Sequence, residues 1–270
     1  MTNVNYKKMF DLTGKTAVVT GGVGILGRCF CAGLAEFGAN VVVIDIDRPA
    51  VLEFSDNLST KYGVKCLGIE CDTSSPKEVQ KAIKLIIEKM GLIHILHNNA
   101  QGKSTPVNFE DCSLEDWRLT SSVNEEGYFL MAQAVGKQMI KQNTGGSIIQ
   151  TSSIYGMMGP DHRIYKNSLS NDNFMGTPAV YSFTKSGVIG LTKYLATYWA
   201  DNKIRVNTIT PGGIEDEQNE TFKKQYSNRI PLGRMALREE IVGALIYLAS
   251  DASSYVTGQN IIVDGGLEAW

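Results

Sequence analysis

The stretch that most limits what this chain can fold into lies near its start. A nearly all-apolar, β-branched run, "KTAVVT" (Lys15–Thr20), passes through the glycine-rich turn "TGGVGILG" (Thr20–Gly27) directly into an amphipathic pattern. Leu26, Phe30, Leu34 and Phe37 recur at helical spacing, so the strand is followed at once by a helix with one buried face. A strand this apolar needs cover on both sides, the situation of an interior strand in a parallel sheet. Gly22, Gly24 and Gly27 fit G-x-G-x-x-G in this strand–turn–helix setting. Glycines let the backbone turn tightly and approach a pyrophosphate, while the helix N-terminus offers free N–H groups to its charge. A merely tight strand–helix turn would use glycines too, so the pattern takes its meaning from the rest of the chain.

That rest alternates in the same way. Apolar runs at Asn40–Asp45, Lys65–Cys71, Leu92–His97, Ser147–Ser152, Lys203–Thr210 and Asn260–Asp264 read as strands, separated by helical patterns. Ser75 followed by Pro76 marks one helix start, with Val79, Ile83, Ile86 and Met90 as its buried stripe. Ser113 with Asp116 three residues on reads as a capping box opening another. The expectation is an α/β fold: one Rossmann-type doubly wound parallel sheet of about seven strands with helices on both faces. No repeat or low-complexity linker divides residues 1–270, so a single nucleotide-binding domain is expected.

Composition excludes several classes. With 43% apolar and 20% charged residues and a net charge of −2, nothing favours nucleic acid or an anionic membrane as partner. No apolar run approaches the roughly 20 residues needed to span a bilayer, and "MTNVNYKKMF" lacks the features of a signal peptide. Five cysteines form no CxxC pair and His94, His97 and His162 show no metal spacing. The expectation is a cytoplasmic protein with reduced thiols, no metal and a small-molecule substrate.

Three places carry chemistry. Asp45 ends the second strand, where a carboxylate accepts hydrogen bonds from both hydroxyls of an adenosine ribose and repels a 2′-phosphate, favouring NAD(H) over NADP(H). Arg28 and Arg48 are the neighbours able to reverse that preference. Asp72, after the third strand, suits an adenine edge or a turn cap. Tyr181 and Lys185 in "YSFTK" project from one helical face, and a nearby ammonium lowers a phenol's pKa, making the tyrosine a usable acid or base. Ser153 ends a strand run, at the side where parallel sheets open toward ligands.

Taken together, the glycine loop, "HNNA", "VNEEGYF", "TSS", "YSFTK", "NTITPGG" and "VTGQNIIVDGG" occur in an order that resembles the compact, single-domain short-chain dehydrogenase/reductases over nearly the whole chain. The resemblance implies Tyr181 as proton-transferring acid/base, Lys185 holding the nicotinamide ribose, Ser153 bonding the substrate oxygen and Asn124 organising a proton-relay water. It places Gly21, Gly24, Ile25, Leu26 and Gly27 at the cofactor phosphates, and Ile46 with Asp45 and Asp72 at the adenosine end. Asn99 and Ala100 then lie beside the adenosine ribose, with Pro211, Gly212 and Ile214 along the nicotinamide. It also implies a homo-oligomer, tetramer or dimer, built on the helices bearing Asn124 and Tyr181. Glu125 and Glu126, beside Asn124, fit a solvated face or a subunit contact.

Departures from the resembled pattern are specific. Ile25 stands where the compact subgroup has a glycine, and the T-G-x-x-G-x-x-G spacing is that of a longer, sugar-nucleotide-modifying subgroup. Gln101 and Asp216 replace a common glycine and threonine. Ser153 and Tyr181 are 28 positions apart (181 − 153), further than is usual in that family, which points to an insertion at about 157–178 beside the active-site mouth, opposite a substrate loop at about 213–234. A narrower resemblance, in "SSIYG", "PDHRIY" and "YSFTKSGVIGLTKYLATYW", is to oxidoreductases of flagellin modification and nonulosonic-acid pathways. It implies a sugar, amino-sugar, nonulosonate or sugar-nucleotide substrate, met by Tyr155, His162, Arg163 and Lys166. Alternatives are reduction of a sugar alcohol, steroid or acyl ketone, epimerase or dehydratase chemistry, and a non-catalytic nucleotide-binding regulator.

Overall fold

A computed structural model describes residues 5–105, 107–166 and 176–270. Seven parallel strands form one sheet: β1 (Thr16–Thr20), β2 (Asn40–Asp45), β3 (Cys66–Glu70), β4 (Ile95–Asn98), β5 (Gly146–Thr151), β6 (Ile204–Pro211) and β7 (Asn260–Val263). Their spatial order is β3-β2-β1-β4-β5-β6-β7. The chain builds outward from β1 in one direction and then returns to build outward from β4 in the other. The crevice at that reversal, above the carboxyl ends of β1 and β4, is where open α/β sheets take ligands.

The helices are α1 (Ile25–Glu36), α2 (Arg48–Tyr62), α3 (Pro76–Met90), α4 (Leu114–Ser121), α5 (Tyr128–Gln142), α6 (Ala179–Tyr198), α7 (Glu220–Ser227) and α8 (Val242–Ala249). Alternation along the strands feeds two cores. Ala17, Val19, Val41 and Val43 join Phe30, Leu34, Leu245 and Leu248 from α1 and α8. Val18, Val42 and Ile44 join Val79, Ile86, Met131 and Leu195 from α3, α5 and α6 on the other face. All five residues of β1 are buried, as its composition requires. A third, smaller cluster, including Ile154, Ile164, Tyr226, Ile230 and Met235, sits beyond the strand ends and supports the functional cleft.

Local signals act as expected at several ends. Ser75 accepts from the Glu78 backbone N–H with Pro76 at the first helical position, and Ser113 accepts from the Asp116 N–H. The Asp116 carboxylate, however, takes the hydroxyls of Ser113 and Thr105. Two expectations are corrected. The fourth strand starts at Ile95 rather than Leu92, because Ile93 exchanges its backbone N–H and C=O with the Gln142 side-chain amide. Phe37 is 43% exposed, because it is the C-cap of α1, after which the chain turns at Gly38 with φ 94°.

Candidate active site

The glycine loop closes on itself. Gly21 adopts φ 63°, and a β-carbon at Gly27 would stand 2.0 Å from the Gly21 carbonyl oxygen, so α1 starts in contact with the loop. Thr20 fixes the neighbouring strand end: its hydroxyl accepts the backbone N–H groups of Asn99 (2.9 Å) and Ala100 (3.0 Å). The Asn99 amide donates to the carbonyls of Thr20 and Gly21. Gly22 does not face the cleft. It packs toward β2, where a β-carbon would meet Val43 at 2.7 Å, so the loop glycines that line the cleft are Gly21, Gly24 and Gly27.

From this loop a cleft of about 980 Å³ runs between Asp45 and Ile46 at one end and Tyr181 at the other. Gly24, Ile25, Leu26, Asp72, Asn99, Ala100 and Ile214 line it between. Gly24 is the N-cap of α1 and supplies no side-chain cap, which leaves first-turn N–H groups turned to the cleft. Asp45 accepts from the backbone N–H of Val23 and of Ile46, holding its carboxylate at the loop. Asp72 caps its own turn through Ser74 while lining the cleft. Arg28 donates to the Val23 carbonyl and lies over the Phe54 ring, and Arg48 pairs with Glu70 at 3.6 Å. A cradle that excludes a β-carbon, an uncapped helix N-terminus and a carboxylate at the far end fit a nicotinamide dinucleotide.

Tyr181 belongs also to a second cavity of about 390 Å³, with Ser153, Tyr155, Tyr165, Gly212, Gln218 and Phe222 among its walls. Burial pushes the Tyr181 phenol up, and a hydrogen bond with Ser153 pulls it back. This corrects the expectation that the ammonium dominates. Lys185, four residues on, is 1% exposed and lines neither cavity. Its Nζ donates to the Thr151 carbonyl (3.0 Å) and the Tyr128 hydroxyl (3.3 Å), and lies 5.9 Å from the Tyr181 ring centroid. Burial lowers its pKa from 10.5 to about 7, so much of its charge is lost near neutrality.

Asn124 sits in a π-helical turn, Ser122–Gly127, between α4 and α5, a departure from α-helical geometry that often marks functional positions. Its Oδ1 accepts the Gly102 N–H and its Nδ2 donates to Thr184, which leaves one lone pair and one N–H for a further partner. Pro211 ends β6 without lining either cavity, while Gly212 and Ile214 reach the second one. Of the four residues expected to meet substrate, Tyr155 lines that cavity and the other three do not. His162 and Lys166 are exposed, and the Arg163 side chain is 90% exposed with its guanidinium bound to Asp161. Their direction is set by the chain register: Ile164 and Tyr165 turn inward, so the residues flanking them turn out. Asn167 and the rest of 167–175 lie outside the described residues.

Thr20, Tyr128 and Thr151 were not singled out by the sequence. Thr20 and Thr151 end apolar strands, and polar residues at the carboxyl ends of such runs are the signal that would find them. Tyr128 carries no such signal: it is a buried tyrosine in a helix whose partners come from β5 and α6.

Fold and cleft together define a dinucleotide-binding α/β domain of the doubly wound class. A family model described as enoyl-(acyl carrier protein) reductase matches residues 24–268. The chain is 35% identical to the sorbose reductase SOU1 of Candida albicans over 267 residues, 97% of this chain and 90% of that protein. Among solved structures, a gluconate 5-dehydrogenase from Burkholderia cenocepacia in complex with NADP and tartrate superposes with a TM-score of 0.88 at 30% identity, covering 98% of this chain and 100% of that one. A short-chain dehydrogenase from Leptospira borgpetersenii with bound NAD+ gives 0.85 at 33% identity, covering 99% and 97%. The chain belongs to the short-chain dehydrogenase/reductase family, NAD(P)-dependent oxidoreductases acting on CH–OH or carbonyl groups.

Proposed function

We propose that this protein is an NAD-dependent oxidoreductase of sugar or sugar-derived substrates, in which Tyr181 moves the proton of the reacting oxygen. The observation that carries the reading is the position of Tyr181, shared by the dinucleotide cleft and the second cavity. When bound, the nicotinamide supplies or accepts the hydride at the carbinol or carbonyl carbon. Ser153 and Tyr181, already hydrogen-bonded, both offer a hydroxyl to the substrate oxygen. Lys185 acts from beneath, bonded to the Thr151 carbonyl and the Tyr128 hydroxyl. Its ammonium supports a developing phenolate, and its neutral form stands ready to take up a proton. Asn124 keeps one donor and one acceptor for a water on that route.

NAD is favoured because Asp45 sets a negative charge at the cleft end, and because Arg28 and Arg48 are engaged elsewhere. A carbohydrate substrate is supported by the names of two relatives, a sorbose reductase and a gluconate dehydrogenase. The resemblance to flagellin-modification and nonulosonic-acid oxidoreductases supports amino-sugar or nonulosonate derivatives within that class. Assembly as a dimer or tetramer through α5 and α6 is part of the same reading, supported by the exposed Phe129, Phe183, Tyr194 and Tyr198 on those helices. The test is nicotinamide-linked turnover of a panel of sugars, polyols and neutral ketones. Tyr181→Phe is expected to lose about 10²–10⁴-fold in kcat while NAD+ binding, followed by calorimetry, stays within a factor of about two. Wild-type turnover in that variant would remove the acid/base role.

A further inference from the structure

The inserted segment was expected to meet the substrate with positive charge, yet its cations point away and its aromatic residue points in. We propose that segment 160–166 selects substrate through Tyr165, which completes an uncharged, aromatic-walled cavity for a neutral polyhydroxylated part of the substrate, and that Asp161 latches the segment to Arg229, just after α7. This deepens the reading of the Tyr181 site and rests on it.

Among the described residues, no charged side chain lines the 390 Å³ cavity. Residues 167–175, in sequence, contain one charged residue, Asp172, whose sign gives no anion a partner. An anion held in such a cavity gains no cation from its described walls. The walls suit carbon bearing hydroxyls instead. Tyr165 and Phe222 lie 5.4 Å apart between centroids, and Phe222 and Tyr226 5.6 Å apart, forming one aromatic side of the cavity. The electron-rich ring faces attract the weakly positive C–H groups of a polyol. Gln101, Ser104 and Gln218 line the same cavity and provide both donors and acceptors for hydroxyls.

Tyr165 is set in that wall from several sides. Ile164 beside it is 3% exposed within the third apolar cluster. The Tyr165 hydroxyl pairs with Thr177 at 2.6 Å. A β-carbon at Gly176, φ 102°, would stand 2.2 Å from its ring, so only glycine permits this approach. The segment is then tied to α7 and the residues after it. Gln225 donates to the Lys166 carbonyl, and Asp161 lies 3.5 Å from Arg229 while also taking the Arg163 fork at 2.7 and 2.8 Å. Arg163 thus holds the latch carboxylate rather than a substrate.

The experiment compares matched compounds of one carbon skeleton: a hexitol, the corresponding hexonate and the hexitol phosphate. They are assayed with the NAD+-loaded full chain and titrated by calorimetry as a readout independent of turnover. The neutral polyol is expected to be preferred at least about tenfold. Tyr165→Ala is expected to raise its KM about tenfold with kcat held within about threefold, while Tyr165→Phe restores the wild-type KM. Asp161→Asn is expected to raise KM in the same direction, and the melting temperature and NAD+ affinity of each variant show that the fold is kept. Preference for the acid or phosphate overturns the proposal, as does a Tyr165→Ala variant whose KM and calorimetric affinity are unchanged. Loss of the charged-substrate preference in an Arg163→Gln, Lys166→Gln variant would return selection to the basic residues. Wild-type turnover in Tyr181→Phe would remove the acid/base reading alone and leave these ratios standing.

Discussion

At Asp45 the proposed preference for NAD over NADP becomes a question of charge. Its carboxylate is fixed by two backbone N–H groups at the mouth of the glycine loop, so it cannot swing away from an incoming 2′-phosphate without giving them up. Asp45→Ser removes the charge and keeps a hydroxyl there. The expected outcome is a rise of at least about tenfold in the NADP-to-NAD ratio of kcat/KM, the equivalent of about 1.4 kcal/mol, read from parallel assays with the two cofactors. An unchanged ratio would place cofactor choice elsewhere, Arg28 and Arg48 first. The place of Asp45 at the cleft was legible because it depends on a strand end and a loop close in sequence. Tyr181 and Lys185 were legible as a helical pair for the same reason. The partners of Lys185 were not: the Thr151 carbonyl and the Tyr128 hydroxyl come from β5 and α5, and only the assembled sheet brings them to one ammonium.

At the scale of elements, the junction of β1 with α1 is the tightest piece of construction near the site. Gly27 and Gly21 are in contact, and a methyl group between them has only backbone to push against. Gly27→Ala is therefore expected to destabilise the fold by about 2–4 kcal/mol and weaken NAD+ binding, measured by denaturant unfolding and calorimetry. Gly243, in the first turn of α8, has nothing within 4 Å of a would-be β-carbon. Gly243→Ala is expected to stabilise by up to about 1 kcal/mol through helix propensity and leave NAD+ affinity unchanged. Equal effects at both sites would mean that the contact at Gly27 relaxes. The strands were readable because two-sided burial leaves continuous apolar runs, and β2 falls at Asn40–Asp45 as its pattern says. The start of β4 was not, since Gln142, a residue from the end of α5, takes the backbone groups of Ile93 that a strand would have used. The inserted segment misled for a related reason: composition marked its cations, whereas register decides which side chains face the cavity.

Across the whole molecule, two buried bases tilt stability toward alkaline pH. His97 is fully buried beneath the site, with Nε2 2.8 Å from the Thr151 hydroxyl and its ring edge-on to Phe30. Burial, and after it the charge of Lys185, lowers its pKa from 6.5 to about 3. Between those values the unfolded chain binds a proton that the native chain refuses, so stability falls as pH drops from 6.5 toward 3. Lys185 repeats the relation higher up: with a folded pKa of about 7 against 10.5, stability rises with pH across that interval. Each contributes a slope of up to about 1.4 kcal/mol per pH unit within its own window. Asp161, held down to about 2 by its hydrogen bond with Arg163, has the same sign in acid. Denaturant unfolding at a series of pH values between 4 and 9 measures the slopes. His97→Gln keeps a side chain able to bond Thr151 but removes the titration, so the slope between about pH 4 and 6 should flatten by close to one proton whatever the variant's absolute stability. A variant slope equal to that of the native protein would show that His97 titrates alike in both states, and the acid sensitivity would then belong to the carboxylates. Because the same Thr151 bonds His97 by its side chain and Lys185 by its carbonyl, only Thr151 and Lys185 stand between His97 and Tyr181, joining the expected tolerance of acid to the ground on which the proposed chemistry stands.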